Sequence, residues 1–383
     1  METDKIFNII DSLEKEYISF WQDFCNIESP TKYKEGVDKS GQYVIAKARA
    51  LGFDVEICRQ PVSGDAVCIT MNKDAVLSPV CLSGHIDTVH PVGSFGTPAV
   101  RIDEKYIYGP GVTDCKGGVV SALLAMHALS LCGFNKRPVK LILQSDEETS
   151  SKGSDKETVR FMAQKAKDCV AFLNCEGARD GGIVVRRKGI LRYSFSVFGK
   201  AVHSSSAHKG INAVAEAAHK IIELERFKDA EGITSNCGMI SGGTAANTVA
   251  EKCSFTCDFR FQNEEQYNII KQTVKEISEK SFIDGTECKV TLESERVAME
   301  ETEKNLALYE KIEDILEMTG LGRMGKTLSA GGSDAADMTH YGIPTVDALG
   351  VYGNKIHSTG EYALLSSLCL SAKRLAAIIL KID

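Results

Sequence analysis

The chain has 383 residues, which is long for one hydrophobic core and predicts two domains. Its hydrophobic content of 43% and charged content of 25% are typical of a soluble globular protein. The net charge of −7 argues against binding to a nucleic-acid backbone. No apolar run approaches the roughly 20 residues that a membrane-spanning helix needs, so we expect neither nucleic acid nor membrane as a partner.

The N-terminal segment METDKIFNIIDSLEKEY is acidic and amphipathic, which predicts a first helix rather than a signal peptide. The 13 cysteines are scattered along the chain without CxxC pairs. An odd number of isolated cysteines indicates reduced thiols rather than a disulfide framework. We therefore expect a cytoplasmic protein.

Helical and strand patterns alternate in the first half of the chain, which predicts an α/β fold with a mostly parallel sheet flanked by helices. Three short apolar runs are followed at once by polar residues, in PVCLSGHID, VKLILQSDEE and CVAFLNCEG. Continuous apolar runs of this length indicate strands that are buried on both faces. The apolar segment GVVSALLAMHALSLCG, between the first two runs, predicts a buried helix.

The pattern changes near residue 189, where the segments LRYSFSVFGK and CSFTCDFRF alternate as half-exposed strands do. An amphipathic helix, INAVAEAAHKIIELERF, separates them, and a charged helix and a further strand follow. This order predicts a small α+β domain of the ferredoxin-like type. We expect residues 1-187 and 298-383 to form a catalytic domain and residues 188-297 to form a domain inserted into it.

Each of the three buried runs ends at a potential metal ligand, namely His85, Glu148 and Glu176. Active sites of open parallel sheets lie at the carboxyl ends of the strands, so we expect these side chains to meet. Two further candidates are Asp114, in GPGVTDCKGG, and His357, in GNKIHSTG. Taken alone, the glutamates of SDEETS would more often belong to a solvated turn, and His85 would suit the core as well as a metal site. Their joint placement favours a metal site.

Two imidazoles and three carboxylates suit zinc, cobalt or manganese better than magnesium or calcium. Three carboxylates and one hydroxide nearly neutralise two divalent ions, and Asp114 is our candidate for the carboxylate that bridges them. Asp87, two residues after His85, is expected to accept the second imidazole N–H. Glu147 is adjacent to the ligand Glu148 and points in another direction, so we expect it to act as the general base.

The chain resembles the family of di-zinc metallopeptidases that contains acetylornithine deacetylase, succinyl-diaminopimelate desuccinylase, aminoacylase and glutamate carboxypeptidase. The resemblance rests on stretches that follow the family order: SGHIDTVHPVGSF, YGPGVTDCKGG, QSDEETSSKGS, NCEG, RRKG, GKAVHSSSAHKGINAV, GGSDAAD and IHSTGEY. The glutamate carboxypeptidase branch is the most similar, through GPGVTDCKGG and GGSDAA. The resemblance implies a zinc-exopeptidase-like catalytic domain with an inserted lid and dimerisation domain.

The resemblance also divides the ligands between two metals: His85 and Glu176 on one, Glu148 and His357 on the other, and Asp114 bridging. It implies a cis peptide bond between Asp114 and Cys115. Cys115 stands where relatives often carry methionine, asparagine or aspartate. Its thiol is therefore either a redox-sensitive group beside the metals or, as we favour, a buried spacer.

For the inserted domain, the resemblance implies that His203 reaches into the active site of a partner subunit and stabilises the tetrahedral oxyanion. An arginine fork suits a substrate carboxylate because it forms two hydrogen bonds with it. The residues implied to contact the substrate are Asn247, Arg260, Gly331, Gly332 and Ser333.

The favoured function is metal-dependent hydrolysis of the amide bond of an N-acyl or peptidyl amino acid with a free carboxylate. A hydroxide held between the metals would attack the carbonyl, with Glu147 as general base. A di- or tripeptidase that recognises a free amino terminus is the alternative, although Glu176 stands where such relatives tend to carry aspartate. A catalytically silent dimeric binding protein is the third interpretation, and the complete ligand set argues against it. His90 has no assigned role and is expected to pack or to lie on the surface.

Overall fold

A computed structural model describes residues 2–178 and 181–383. The chain divides into two compact units. The first comprises Met1–Val185, Glu301–Leu328 and Ser333–Asp383, and the second comprises Arg186–Glu300 and Ser329–Gly332.

The α-helices of the described residues are α1 Glu2–Asn26, α2 Lys34–Ala50, α3 Lys116–Leu131, α4 Glu157–Ala166, α5 Ala213–Leu224, α6 Glu264–Glu279, α7 Glu303–Met318, α8 Asp334–His340 and α9 Ser367–Lys381. The strands are β1 Asp54–Cys58, β2 Ala66–Met71, β3 Val80–His85, β4 Arg101–Ile102, β5 Tyr106–Tyr108, β6 Val139–Gln144, β7 Ala171–Asn174, β8 Ile183–Arg187, β9 Gly189–Phe198, β10 Thr234–Gly242, β11 Lys252–Phe261, β12 Glu287–Arg296, β13 Lys326–Ser329, β14 Thr345–Val346, β15 Gly353–Asn354 and β16 Tyr362–Leu364. Among these helices, none combines the length and the apolar character needed to span a membrane.

The first unit is built on a six-stranded sheet in the order β1-β2-β6-β3-β7-β14. Strand β3 runs parallel to both β6 and β7, and β14 runs parallel to β7, whereas β1 and β2 pair antiparallel at one edge. The three apolar runs of the sequence are β3, β6 and β7, which lie side by side. The predicted α/β fold with a mostly parallel sheet is confirmed.

Helix α3 lies in the core of the first unit. It is apolar on nearly every side, and 13 of its 16 residues are buried, as expected for an interior helix. The amphipathic helix α1 packs on it through Tyr17, Trp21 and Phe24, and α9 covers it from another side. The N-terminal end of α3 is thereby fixed against the sheet.

A second, smaller sheet brings two distant loops of the first unit together. Strands β15 and β16 form a hairpin, and β16 pairs antiparallel with β5. The turn of the hairpin carries His357, and the segment that follows β5 carries Asp114. Pairing of β5 with β16 therefore positions both residues.

The second unit contains a four-stranded antiparallel sheet in the order β10-β11-β9-β12. Burial alternates along β9 and β11, because one face of the sheet packs against α5 and α6 and the other is partly exposed. Phe195 and Phe255 stack on the packed face with ring centroids 4.6 Å apart. The element order and sheet order are those of a ferredoxin-like fold, which confirms the prediction.

Candidate metal centre

The candidate ligands from the sheet lie at the carboxyl ends of its three central strands. His85 is the last residue of β3, Glu147 and Glu148 form a short 3-10 turn after β6, and Glu176 follows β7. Because these strands are parallel neighbours, their ends meet at one edge of the sheet. The structure thus brings together the residues that the sequence predicted there.

Asp114 lies between two pairs of side chains. Its Oδ1 atom is 2.9 Å from His85 Nε2, which is itself 3.6 Å from Glu176 Oε1. Its Oδ2 atom is 3.2 Å from His357 Nε2, which is 3.3 Å from Glu148 Oε2. One carboxylate therefore faces two separate histidine–glutamate pairs, with one oxygen for each.

Two glycines at the start of α3 permit this arrangement. A Cβ atom on Gly118 would lie 1.8 Å from the carbonyl oxygen of Cys175, and one on Gly117 would lie 2.3 Å from that of Val112. Helix α3 can therefore begin in direct contact with the end of β7, just after Asp114. The peptide bond between Asp114 and the next residue is cis, as the resemblance implied.

Asp87 faces the second ring nitrogen of His85 with two oxygen atoms. His85 Nδ1 lies 3.0 Å from the backbone oxygen of Asp87 and 3.4 Å from its nearest carboxylate oxygen, so the carbonyl is the closer partner. The buried carboxylate accepts hydrogen bonds from the Thr31 hydroxyl at 2.7 Å and from the backbone N–H groups of Glu147 and Glu148 at 3.2 Å each. It holds the glutamate turn in place, because a buried carboxylate needs such donors.

Two glutamates of the cluster have raised pKa values, which a bound cation would lower again. Burial, followed by the negative charge of Asp114, raises the pKa of Glu148 to about 8. Burial also raises the pKa of Glu176 well above its usual range. Bound cations would keep both groups ionised, since an opposite charge nearby favours the charged form. The residues therefore fit a metal site.

The histidines and Asp114 show the complementary effect. Hydrogen bonds to Asp114 and Glu148 raise the pKa of His357 to about 10. Burial acts to raise the pKa of Asp114, but the hydrogen bonds from His357 and His85 outweigh it and lower that pKa. A metal ion takes the place of a proton in such a cluster, because imidazole and carboxylate ligands bind in their deprotonated forms.

Cys115 borders the cluster, and potential ligand atoms of His85, Cys115 and Glu176 lie within 4.8 Å of one another. The thiol is fully buried and donates a hydrogen bond to the carbonyl oxygen of Cys175 at 3.1 Å. Burial, together with the charge of Glu176, raises the pKa of Cys115 well above its usual value. Full burial and the hydrogen bond to a carbonyl oxygen favour the buried-spacer interpretation.

Sequence reasoning missed one residue of this region, Glu361. Its buried carboxylate accepts hydrogen bonds from three backbone N–H groups of the segment that ends at Asp114, and His90 Nε2 lies 3.2 Å from it. The sequence offered a weak signal, since Glu361 stands four residues after His357 in IHSTGEY. His90 is buried and faces this carboxylate rather than solvent.

The candidate residues of the inserted domain lie in the second unit. His203 and Asn247 are exposed. Their segments are neighbours, since the N–H of Ser204 donates to the Asn247 carbonyl oxygen at 2.8 Å. Arg260 Nε donates to Asp258 Oδ1 at 2.8 Å, and Arg192 donates twice to Asp258 Oδ2. Two arginines thus share the carboxylate of Asp258.

The segment Gly331–Ser333 has structural roles of its own. A Cβ atom on Gly332 would lie 2.4 Å from Arg296 Cδ, and the Gly331 carbonyl oxygen accepts a hydrogen bond from Arg187 at 3.3 Å. The fully buried Ser333 is the N-cap of α8, and its hydroxyl donates to Asp347. These contacts hold the segment in place, and its role in substrate binding remains a prediction.

Comparison with known families identifies the class of protein. Residues 81–381 match the model of peptidase family M20/M25/M40, and the chain therefore belongs to this family. The protein is a metallohydrolase that acts on peptide or other amide bonds.

Individual relatives span nearly the same length. The chain is 26% identical over 373 residues to carboxypeptidase G2 of a Pseudomonas species (strain RS-16), covering 96% of this chain and 87% of that one. It is 28% identical over 352 residues to acetylornithine deacetylase of Myxococcus xanthus, covering 85% and 87%. The crystal structure of a tripeptidase from Staphylococcus aureus has the same fold, with a TM-score of 0.78 at 24% identity and coverage of 96% and 97%.

Proposed function

We propose that the protein is a two-metal carboxypeptidase or deacylase, which hydrolyses the amide bond of an N-acyl or peptidyl amino acid with a free carboxylate. The observation that carries the two-metal part is the position of Asp114, whose two oxygens face two separate histidine–glutamate pairs. A carboxylate between two ligand sets is the arrangement that a pair of metal ions needs for a bridge.

The donor set proposed for the first ion is His85, Glu176 and Asp114, and that for the second is His357, Glu148 and Asp114. This mixed nitrogen and oxygen set suits zinc, cobalt or manganese, and we propose zinc as the native ion. When bound, the pair of ions supplies positive charge that polarises the scissile carbonyl and acidifies the attacking water.

Glu147 is the proposed general base and, later, the general acid. It is largely buried, and its turn is tied to the Asp87 carboxylate through a backbone N–H. Burial is the main cause of the raised pKa values of Glu148 and Glu176, and the charge of Glu147 adds to both. Glu147 can take a proton from the attacking water and deliver it to the leaving amine.

The free carboxylate of the substrate is assigned to the inserted domain. Arg260 and Arg192 both pair with Asp258, which places two guanidinium groups beside one carboxylate. We propose that Arg260 pairs with the substrate carboxylate and that Asn247 hydrogen-bonds to it. We further propose a homodimer formed through the inserted domain, in which His203 serves the partner's active site.

A di- or tripeptidase is the second candidate function. It would use the same metal chemistry and Glu147, and would differ only in recognising the free amino terminus of the substrate. The similarity to the Staphylococcus aureus tripeptidase concerns the fold and does not favour one terminus over the other. The two arginines at Asp258 are suitable partners for an anion and favour the carboxylate.

Three matched substrates test the proposal on protein loaded with zinc or cobalt. These are an N-acetyl amino acid, the same compound with its carboxylate converted to an amide, and a tripeptide with both termini free. We expect hydrolysis of the first and little hydrolysis of the second. Release of the N-terminal residue from the tripeptide, without cleavage of the N-acetyl compound, would support the peptidase instead. Two bound metals without any hydrolysis would support a binding protein.

A further inference from the structure

The Glu361 carboxylate is a junction of four close contacts inside the first unit. Oε1 accepts the backbone N–H groups of Thr113 at 2.9 Å and Asp114 at 3.1 Å. Oε2 accepts the N–H of Gly111 at 3.2 Å and lies 3.2 Å from His90 Nε2. The side chain is only 1% exposed, so these groups, and not water, satisfy its charge.

Glu361 belongs to the turn that carries His357, so its hydrogen bonds connect this turn with another segment. The turn between β15 and β16 carries His357 and ends with Glu361, which immediately precedes β16. Its side chain binds the segment that carries Asp114. A single residue therefore links the two segments whose side chains, His357 and Asp114, face each other across 3.2 Å.

The two histidines of the cluster differ in how they are held. His85 is 1% exposed, lies at the end of a central strand and is fixed through Nδ1 by the Asp87 backbone oxygen. The His357 side chain is 54% exposed and lies in a turn with a positive φ of 60°. The contacts described for its ring are with Asp114 and Glu148. The position of His357 therefore depends on its turn far more than that of His85 depends on any loop.

We propose that Glu361 is a positioning residue for the second metal ion. It holds the His357 turn against the Asp114 segment, so that Asp114 Oδ2, His357 and Glu148 converge. Hydrogen bonds to a charged carboxylate are shorter and stronger than those between neutral groups, which suits this role. This inference rests on the two-metal site proposed above.

Glu361→Gln tests the positioning role of Glu361. It preserves the shape of the side chain and replaces one hydrogen-bond acceptor by a donor. If the amide nitrogen replaces Oε1, it meets the N–H groups of Thr113 and Asp114. If it replaces Oε2, it meets the N–H of Gly111, and His90 must change its tautomer to accept. Either orientation replaces attractive contacts by contacts between donors, on the side of the segment that carries Asp114.

The experiment titrates metal-free protein with cobalt, which is followed by visible absorption, and counts bound zinc by equilibrium dialysis and elemental analysis. We expect two ions per chain in the wild type. In Glu361→Gln we expect the first ion to bind as in the wild type and the second to bind about 10–100-fold more weakly, the range for loss of a residue that supports a metal ligand. The cobalt spectrum should then show a single filled site over this concentration range.

Glu313→Gln is the matched control. Glu313 is a buried carboxylate of the same unit that accepts the backbone N–H groups of Met324 and Gly325 at 2.9 Å and 3.2 Å. It belongs to α7 and contacts none of the proposed ligands in the described hydrogen bonds. We expect this variant to lose stability and to keep both metal affinities.

His90→Phe provides a second variant in case Glu361→Gln does not fold. It removes one of the four contacts and keeps an aromatic ring where His90 packs edge-on against Phe95. We expect the second ion to bind more weakly than in the wild type, by a smaller factor than in Glu361→Gln.

The outcomes separate the inference from the proposed function. A wild-type protein that binds one ion or none overturns the two-metal proposal. A wild-type protein that binds two ions while both affinities stay unchanged in Glu361→Gln and in His90→Phe overturns only the role of Glu361. Equally weaker binding of both ions in Glu361→Gln would show a general structural effect. So would the same loss of affinity for the second ion in Glu313→Gln, and either result would also overturn the role of Glu361.

Discussion

The metal centre and the candidate residues of the inserted domain are held in opposite ways. In the first unit, the paired ligand atoms lie 2.9 to 3.6 Å apart. The backbone around them is fastened by the buried carboxylates of Asp87 and Glu361. In the second unit, His203 is exposed, and its ring contacts Ser205 in its own segment. Arg260 contacts Asp258 on the same strand.

The difference has a physical origin. Charged groups that are buried must be satisfied by fixed partners, so folding holds the buried ligands of the metal centre in place. Exposed side chains meet no such requirement and can remain available for a ligand or for another subunit. The first unit therefore contains a site arranged in advance, whereas the second unit offers groups that acquire their function on binding.

The largest expected effect tests the site that is arranged in advance. Glu147→Gln removes the proposed proton carrier and preserves the size of the side chain and its backbone N–H bond to Asp87. We expect turnover to fall by about 10²–10⁴, the usual contribution of proton-transfer catalysis. Steady-state hydrolysis of an N-acetyl amino acid measures this.

Elemental analysis is the control for this variant, because the metal content should remain that of the wild type. Near-normal turnover with both metals bound would place the general base elsewhere. Loss of metal together with activity would instead make Glu147 a ligand.

The next effect tests the exposed groups. His203→Ala should lower turnover by about 10²–10³, the contribution of one oxyanion donor, and should leave metal binding unchanged. His208→Ala, an exposed histidine of the same segment, is the matched control and should keep its activity.

A mixture of two inactive variants shows which subunit His203 serves. If His203→Ala and Glu147→Gln subunits exchange freely, half of the dimers are mixed, and each mixed dimer regains one site with both residues. Activity should therefore approach a quarter of the wild-type value. A mixture that stays inactive after exchange has been demonstrated would mean that His203 acts within its own subunit.

The smallest effect concerns Ser333, which the resemblance assigned to substrate binding. As the N-cap of α8, Ser333 should contribute to stability rather than to binding. Ser333→Ala should lower the free energy of unfolding by about 1–2 kcal/mol, the range for loss of a cap, and should leave KM unchanged. Thr302→Ala, at the N-cap of α7, is the matched control for denaturant unfolding. A higher KM at unchanged stability would restore the substrate role.

Much of the fold and of the proposed ligand set was predictable because both depend on patterns that run along the chain. Three apolar runs identified β3, β6 and β7, and the polar residue at or after each end followed from the rule for parallel sheets. Asp114 and His357 were found through their glycine-rich turns. The alternation in β9 and β11 likewise predicted the sheet of the second unit.

The supporting contacts were not predictable in the same way. The Asp87 carboxylate accepts backbone N–H groups of the glutamate turn, and the Glu361 carboxylate accepts those of the Asp114 segment. Nearly every residue has a backbone N–H group, so the sequence does not show which of them a carboxylate will bind. The contacts of Ser333 with the N–H of Ala335 and the carboxylate of Asp347 were likewise not predictable, and its substrate role remains a prediction. The roles of His203 and Arg260 came from the family resemblance and remain predictions.

The pairing of β5 with β16 has a consequence for the newly synthesised chain. Glu176 completes the first proposed donor set in the sequence, but Asp114, which both sets share, is positioned by a strand that is made after His357. At a typical rate of 5–20 residues per second, roughly 10–40 s of translation separate Glu176 from His357. We therefore expect a nascent chain to hold neither metal ion firmly before the hairpin has been made, so that both ions are loaded at the same late stage of synthesis.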